Sequence, residues 1–116
     1  MQRMFTHTYH VPGNLAADLN IRFTAPCDMQ LVHVSHVGSG ATSTALLNIG
    51  PSTDTDGYLD DVVMGKSGVP AEYDQDDFVN GEFPHIVKGT IVCILVTYNT
   101  LATAADWTGV FTFTEG

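Results

Sequence analysis

Apolar and polar residues alternate in short segments along the chain, and glycine or proline separates one segment from the next. In residues 19–24 the apolar side chains are Leu19, Ile21 and Phe23, and each is followed by a polar residue. A period of two places them on one face of a β-strand, so this segment predicts a strand with one buried and one solvated face. The same criterion predicts further strands over residues 4–11, 29–37, 44–49, 58–64, 85–87, 90–98 and 107–114.

Short strands with turn residues between them are typical of a β-sandwich or a β-barrel. The composition agrees, because 14 threonines, 12 valines and 5 isoleucines favour strands over helices. At 116 residues the chain is long enough to bury one core without a metal or a disulfide framework. We therefore predict a single all-β domain over residues 1–116, with about eight antiparallel strands. Residues 1–11 are expected to form either its first strand or an N-terminal arm.

Two parts of the chain have less regular patterns. In residues 29–37, alternation would place Val32 and Val34 on one face and Leu31 and Val37 on the other. Residues 65–83 lose the alternation, and Pro70 is expected to open at most one helical turn, through Ala71, Glu72 and Tyr73. We interpret residues 65–83 as a long acidic loop, and such a loop is usually functional or covers the edge of a sheet.

Residues 90–98 form the most apolar segment, with large aliphatic side chains at both odd and even positions. Only one face of a strand meets the core of a two-layer sandwich, so the other face needs a different cover. Residues 65–83 of the same chain are one candidate cover, and a neighbouring subunit is the other. We favour the subunit, because an exposed aliphatic row promotes aggregation. The predicted oligomer interface consists of Val92, Ile94, Val96 and Tyr98.

The chain is acidic, with 13 Asp and Glu residues against 4 Lys and Arg residues and a net charge of −9. Such a chain repels a phosphate backbone, which excludes direct nucleic-acid binding. Nine of the acidic residues lie between Asp54 and Glu82, so we expect the loops to present one acidic face. The sequence shows neither a signal-peptide pattern nor an apolar run of membrane-spanning length. We accordingly expect a soluble protein with no membrane partner, assembled in a cytoplasm.

Two cysteines, Cys27 and Cys93, lie in or beside predicted strands. They could form a disulfide, but a chain of this length folds without a covalent staple, and free cysteine is commonly buried. We favour two free thiols and keep the disulfide as the alternative.

Residues 52–57 resemble the first half of a calcium-binding loop, with oxygen-bearing side chains ahead of Gly57. The second half does not fit, because Val63 occupies the position of the bidentate acid. Asp54, Asp56 and Asp60 remain weak candidates for an irregular metal site. We favour a solvated acidic turn, since aspartate in turns is explained by hydrogen bonds to its own backbone.

The five histidines do not suggest a metal centre. The pairs His7/His10 and His33/His36 have a spacing of three, which places the two rings of each pair on opposite faces of a strand. A site made from His33 and His85 would lack cysteine or carboxylate ligands at metal spacing. Ser39 lies in a glycine-rich turn without the strand–turn–helix context of a nucleophile elbow. The sequence therefore predicts no cofactor and no enzymatic activity.

Several segments together resemble the small jelly-roll proteins of tailed bacteriophages, which decorate or cement capsids and recur in fibres. The resemblance spans residues 19–114 and is a pattern of strands and turns. The segments that carry it are Thr24-Ala25-Pro26-Cys27-Asp28, Leu31-Val32-His33-Val34, Ala45-Leu46-Leu47-Asn48-Ile49, Lys88-Gly89-Thr90, residues 100–106 and Phe111-Thr112-Phe113.

The resemblance implies a jelly-roll sandwich that is a non-catalytic capsid decoration protein, often trimeric, located on the virion surface. Its implied partners are further copies of itself and the major capsid protein. Phe5 and Tyr9 are our candidate capsid contacts. The alternative is a receptor- or carbohydrate-binding module of a phage fibre, for which Tyr58 and Tyr73 would be the stacking residues. A hydrolase is a third, weaker interpretation.

Overall fold

The structure is a computed structural model that describes residues 3–14, 17–40, 45–97 and 105–116. Nine strands lie in these ranges, and the only other regular elements there are two 3₁₀ turns, Gln75–Asp77 and Val79–Gly81. The strands are β1 (Met4–Asn14), β2 (Leu19–Thr24), β3 (Met29–Val37), β4 (Leu46–Pro51), β5 (Leu59–Val63), β6 (Ala71–Tyr73), β7 (His85–Ile86), β8 (Ile91–Thr97) and β9 (Ala105–Glu115).

The strands form two antiparallel sheets that pack as a sandwich. The first sheet has the order β1-β9-β3-β6, with β7 also paired to β3, and the second has the order β2-β8-β4-β5. β6 and β7 pair with different parts of the same strand, β3. They therefore occupy one strand position in the sheet, and the nine strands fill eight strand positions of the sandwich. The chain crosses between the sheets at every connection except β4–β5 and β6–β7, as in a jelly roll. The predicted all-β, jelly-roll-like sandwich is confirmed.

The core lies between the sheets and follows the period of two in the sequence. In β9, Trp107, Phe111 and Phe113 are buried, whereas the threonines between them lie on the outer face. Gly109 continues the inward row, and a Cβ atom there would come 2.6 Å from the Trp107 indole ring. The glycine therefore makes room for the indole in the middle of the sheet.

Strand β3 departs from the predicted alternation. The register shifts between Leu31 and His33 where β3 pairs with β9, as in a β-bulge. The shift changes the parity of the inward positions, so Leu31 and Val34 are both buried and Val32 is only half-buried. The prediction that Val32 and Val34 share a face is wrong for this reason.

Residues 65–83 also differ from the prediction, because residues 71–73 form β6 and not a helical turn. The free edge of β3 offers backbone hydrogen-bonding groups, and β6 pairs with it from Val34 to His36. Residues 4–14 form β1, which pairs with β9 along its length, so the N-terminal arm is excluded for these residues. Cys27 is half-buried and Cys93 is buried, both as free thiols, as we favoured.

Candidate interaction surfaces

The sandwich has two unlike lateral sides. On one side lie the edge strands β1 and β2, which we call the open side; on the other lie β5 and residues 71–86, which we call the closed side. Residues 3–24 contain two arginines and one acidic residue. Residues 54–82 contain nine acidic residues and one lysine. The negative charge of the chain is therefore concentrated on the closed side.

Aromatic rings are packed along the open side. The His7 ring stacks on Phe23 of the opposite sheet, with centroids 4.6 Å apart. Phe5 stacks on Phe113 at 5.5 Å, and Tyr9 lies 6.1 Å from Phe111. The inward residues of β1 and β2 remain only half-buried, because they lie at the lateral opening of the sandwich. The candidate capsid contacts Phe5 and Tyr9 thus point inward, and a partner could reach only their outer edges.

The closed side is covered by the chain itself. The Tyr73 hydroxyl donates a hydrogen bond to the carbonyl of Val63, which links β6 to β5 across the sheets. The amide of Val79 donates to the carbonyl of Tyr58 at 3.0 Å, and Phe78 is buried. Asp74 and Asp77 form a capping box on the first 3₁₀ turn. Part of the acidic composition therefore has a structural role.

The predicted oligomer interface is not on the surface of the chain. Val92, Ile94 and Val96 are no more than 1% exposed and belong to the core between the sheets. Tyr98 lies outside the described residues. The assignment of faces in this strand was wrong because both faces are apolar, so alternation could not show which one points inward.

The outer face of β8 carries Ile91, Cys93 and Leu95. Ile91 is 43% exposed and Leu95 is half-buried, whereas Cys93 is buried between its cross-strand neighbours Arg22 and Gly50. Residues 71–86 lie along the edge of β3 in the other sheet and do not cover this face. The outer face is therefore mixed and not a continuous aliphatic row, and cover of this face by a neighbouring subunit stays a prediction.

The acidic turn after β4 contains the candidate metal ligands. A side-chain hydrogen bond with Asp56, loss of hydration and the nearby negative charges raise the pKa of Asp54. Loss of hydration and the charges of Asp61 and Asp56 raise the pKa of Asp60. Repulsion between neighbouring carboxylates contributes to both shifts, but it comes after the hydrogen bond and the loss of hydration for Asp54 and after the loss of hydration for Asp60. Within the described ranges, no group of three or more His, Cys, Asp or Glu side chains is arranged to hold a metal ion.

His36 is a buried polar residue that the sequence analysis did not single out. Its Nδ1 atom accepts a hydrogen bond from Trp107 Nε1 at 3.2 Å, which places the proton of the neutral ring on Nε2. Nε2 is buried, and it makes no hydrogen bond within the described residues. Burial lowers the pKa of His36 from 6.5 to about 4, and the backbone of Val62 and Val63 opposes part of this shift.

Asp106 is a second residue that sequence reasoning missed. Its Oδ1 atom accepts from the Gly13 amide and its Oδ2 atom from the Ser39 hydroxyl, both at 2.8 Å. These hydrogen bonds lower the pKa of Asp106. Asp106 has φ +51°, a left-handed conformation that aspartate adopts more readily than most residues. The carboxylate joins the ends of β1, β3 and β9, and neither Gly13 nor Ser39 is near it in sequence.

An open recess lies at the loop that joins β5 to β6, lined by residues 63–67 and 69–71. Its lining is mainly apolar, and Lys66 is the only charged side chain in it.

Among the described residues, no helix has the length and apolar character needed to cross a membrane.

Comparisons with known proteins support the fold. No protein family model matches the chain, and no curated protein matches it. Among solved structures, the chain is similar to a chain of the structure described as "Cyanophage Pam1 capsid asymmetric unit". Sequence identity is 19%, the likeness covers 99% of this chain and 85% of the other chain, and the TM-score is 0.59. The likeness extends over nearly the whole sandwich, and at this identity it shows a shared fold.

Proposed function

We propose that this protein is a non-enzymatic viral structural protein of a bacteriophage, which decorates the capsid. The observation that carries the proposal is the likeness of the whole sandwich to a chain of a cyanophage capsid asymmetric unit. In this role the protein forms a homo-oligomer, most simply a trimer, and docks on the major capsid protein at the virion surface after assembly in the host cytoplasm.

The unequal charge of the two sides supports docking through the open side. Capsid shells stay decorated over a range of salt concentrations, and contacts that bury apolar surface are weakened less by salt than contacts between exposed charges. The half-buried rings of Phe5 and Tyr9 offer apolar area on this side, whereas the closed side carries a large negative charge. We therefore assign the capsid contact to the open side, with Phe5 and Tyr9 at its rim.

The test is co-sedimentation of the purified protein with capsids that lack it, at about 0.05 M and about 0.5 M salt, between which the Debye length falls to roughly a third. The double variant Phe5→Leu/Tyr9→Leu keeps apolar side chains in the sandwich but removes the aromatic edges. We expect it to bind about tenfold more weakly, in line with the loss of aromatic anchors at interfaces. Val69→Ser is the matched control, because Val69 is 67% exposed on the loop before β6.

A second variant separates the apolar contact from an electrostatic one. Asp76→Asn/Glu82→Gln removes two charges from the closed side and leaves the Asp74–Asp77 capping box intact. We expect its binding to match that of the wild type at both salt concentrations. Failure of the wild type to bind any capsid would contradict the proposal. A steep salt dependence together with weaker binding of this variant would move the contact to the closed side.

A further inference from the structure

The outer edge of β1 is free of hydrogen-bond partners in the part of the chain that the structure describes. β1 pairs with β9 along one edge, and β9 continues to β3 on its other side. Residues 4–11 form a regular ladder with β9, and the register shifts only beyond Val11. A regular edge of this length offers a row of unpaired amide and carbonyl groups, which is a template for a further strand.

The other sheet edges in the molecule are protected against such pairing. β5 has five residues, contains two aspartates and bends at Asp61, where φ is +47°. β6 and β7 have three and two residues, and each follows a proline. β2 has six residues and carries Arg22. In β1, the proline and the register shift lie beyond Val11, and residues 4–11 contain no Asp, Glu, Lys, Arg or Pro, so this run is the longest unprotected stretch among the described edges.

The middle of β1 has a pattern that is the same in both directions. From Phe5 to Tyr9 the residues are aromatic, threonine, histidine, threonine and aromatic. If two copies of β1 paired in antiparallel fashion about His7, Phe5 would oppose Tyr9 and Thr6 would oppose Thr8. Aromatic pairs and threonine pairs are among the cross-strand pairs that stabilise antiparallel sheets. The strand is thus complementary to a second copy of itself.

We propose that β1 of one copy pairs with β1 of a second copy, antiparallel and about a two-fold axis at His7, so that the two outer sheets become one continuous sheet. This is strand addition to an exposed sheet edge, with a second copy of this chain as the added strand.

The distribution of charge allows this contact between two chains of net charge −9. The pairing brings the open sides together, and the acidic closed sides lie at the two far ends of the pair. That separation exceeds the Debye length at physiological salt, roughly 8 Å, so the repulsion between them is largely screened. The contact also closes on itself, because it is isologous and the far edges are short and protected.

This pairing goes beyond the proposed function and does not depend on it, but both contacts use the open side, so a copy paired through β1 does not hold the capsid through that side at the same time. If the protein is a trimer as proposed, a two-fold contact joins two trimers; if it is not, the contact joins two monomers. In either case, breaking the β1 contact halves the mass of the assembly. Whether the protein is a trimer is a separate question, which is answered by whether the measured mass is a multiple of three chain masses. The two ideas can therefore fail separately.

Sedimentation equilibrium of the full chain at micromolar concentration, with three variants, tests the pairing. Thr6→Lys/Thr8→Lys places lysine opposite lysine twice, and the exposed position of both threonines keeps the substitutions compatible with folding. Two like-charged pairs should weaken association about 25-fold, at roughly fivefold each in water. Thr6→Lys/Thr8→Glu places lysine opposite glutamate twice and should associate at least as well as the wild type. Asn20→Lys/Thr24→Lys adds the same charge to exposed positions of β2 and is the matched control.

We expect the first variant to have half the mass of the wild type, and the other two to keep the wild-type mass. Thermal unfolding of every variant at the same concentration checks that each is folded. Equal masses for the wild type and Thr6→Lys/Thr8→Lys would overturn the proposal, as would an equal loss in the β2 control. Failure of Thr6→Lys/Thr8→Glu to associate would overturn the register about His7. If Thr6→Lys/Thr8→Lys lost only capsid binding, the edge would belong to a capsid strand, and the pairing of two copies would be wrong.

Discussion

The open and closed sides of the sandwich both contain aromatic residues, but they complete their packing in different ways. On the closed side, residues 71–86 lie along β3, and the Tyr73 hydroxyl joins the two sheets. Nearby, His36 and Trp107 are fully buried. On the open side, none of the described segments runs along the outside of β1 or β2, and the rings of Phe5, His7 and Tyr9 stay half-buried.

This difference indicates where the molecule meets other molecules. A side that its own chain covers has its polar groups paired internally, so it gains little from a partner. A side with half-buried rings and an unpaired strand edge gains both apolar burial and hydrogen bonds when a partner arrives. If the protein associates as we propose, we expect the closed side to contribute mainly to the stability of the single chain, and the open side to association.

The largest test of this contrast compares the truncation of a fully buried aromatic residue of the core with that of a half-buried one on the open side. Trp107→Ala removes a fully buried indole and leaves His36 Nδ1 without its donor, so we expect a loss of about 3 to 5 kcal/mol in the free energy of unfolding. Phe5→Ala removes a half-buried ring and should cost about 2 kcal/mol. Urea unfolding of both variants measures the two losses. Equal losses would mean that the open side is as important as the core for the fold of one chain.

A smaller loss in the free energy of unfolding is expected on acidification, and it should come from His36, which lies beside the closed side. The pKa of His36 is lowered to about 4 in the folded chain, against 6.5 when unfolded, so folding favours the neutral ring. This contribution to stability is complete above pH 6.5 and is lost as the pH falls towards 4, by about 3 kcal/mol at that pH. Urea unfolding between pH 7.5 and pH 4 measures the loss.

His36→Asn serves as the control for this prediction, because the amide oxygen can still accept from Trp107 and does not titrate in this range. We expect this variant to be less stable at neutral pH but to lose less stability on acidification than the wild type. If His36→Asn and the wild type lost stability in parallel, a group other than His36 would control the acid response.

The smallest expected effect is on the local stability of the C-terminal end of β1, where Asp106 contacts Gly13. Asp106→Asn keeps a residue that tolerates a positive φ, but its amide nitrogen cannot accept one of the two hydrogen bonds from Gly13 and Ser39. We expect faster hydrogen exchange at the Gly13 amide with little change in the exchange of the β8 amides. Ser39→Ala should give a weaker version of the same result. Uniform acceleration throughout the chain would show that Asp106 stabilises the whole sandwich and not only the end of β1.

The alternation of residues was sufficient to predict most strands and the inward row of β2. It failed where the period of two does not determine the face. In β8 both faces are apolar, and in β3 a register shift after Leu31 changes which residues point inward. β6 was missed because three residues after a proline carry no measurable period, and its pairing depends on the distant edge of β3.

The polar contacts could not be predicted for a related reason. Trp107 and His36 are 71 residues apart, and Asp106 meets residues 93 and 67 positions away. Nothing in the local sequence of Asp106 or His36 separates them from other polar residues in or beside a strand. By contrast, the concentration of acidic residues between Asp54 and Glu82 is visible in the sequence, and the fold places them on one side.

The position of β9 between β1 and β3 has a consequence for how the chain is made. β9 is the last of the nine strands to leave the ribosome, yet it forms ladders with the first and the third. Until it emerges, β1 and β3 have no common partner, and the apolar rows of both strands remain accessible to water and to other nascent chains. Pairings of such long sequence separation form slowly and leave intermediates prone to aggregation. Completion of this sandwich therefore waits until β9 has emerged, and we expect the yield of folded protein to depend on chaperones and on growth temperature.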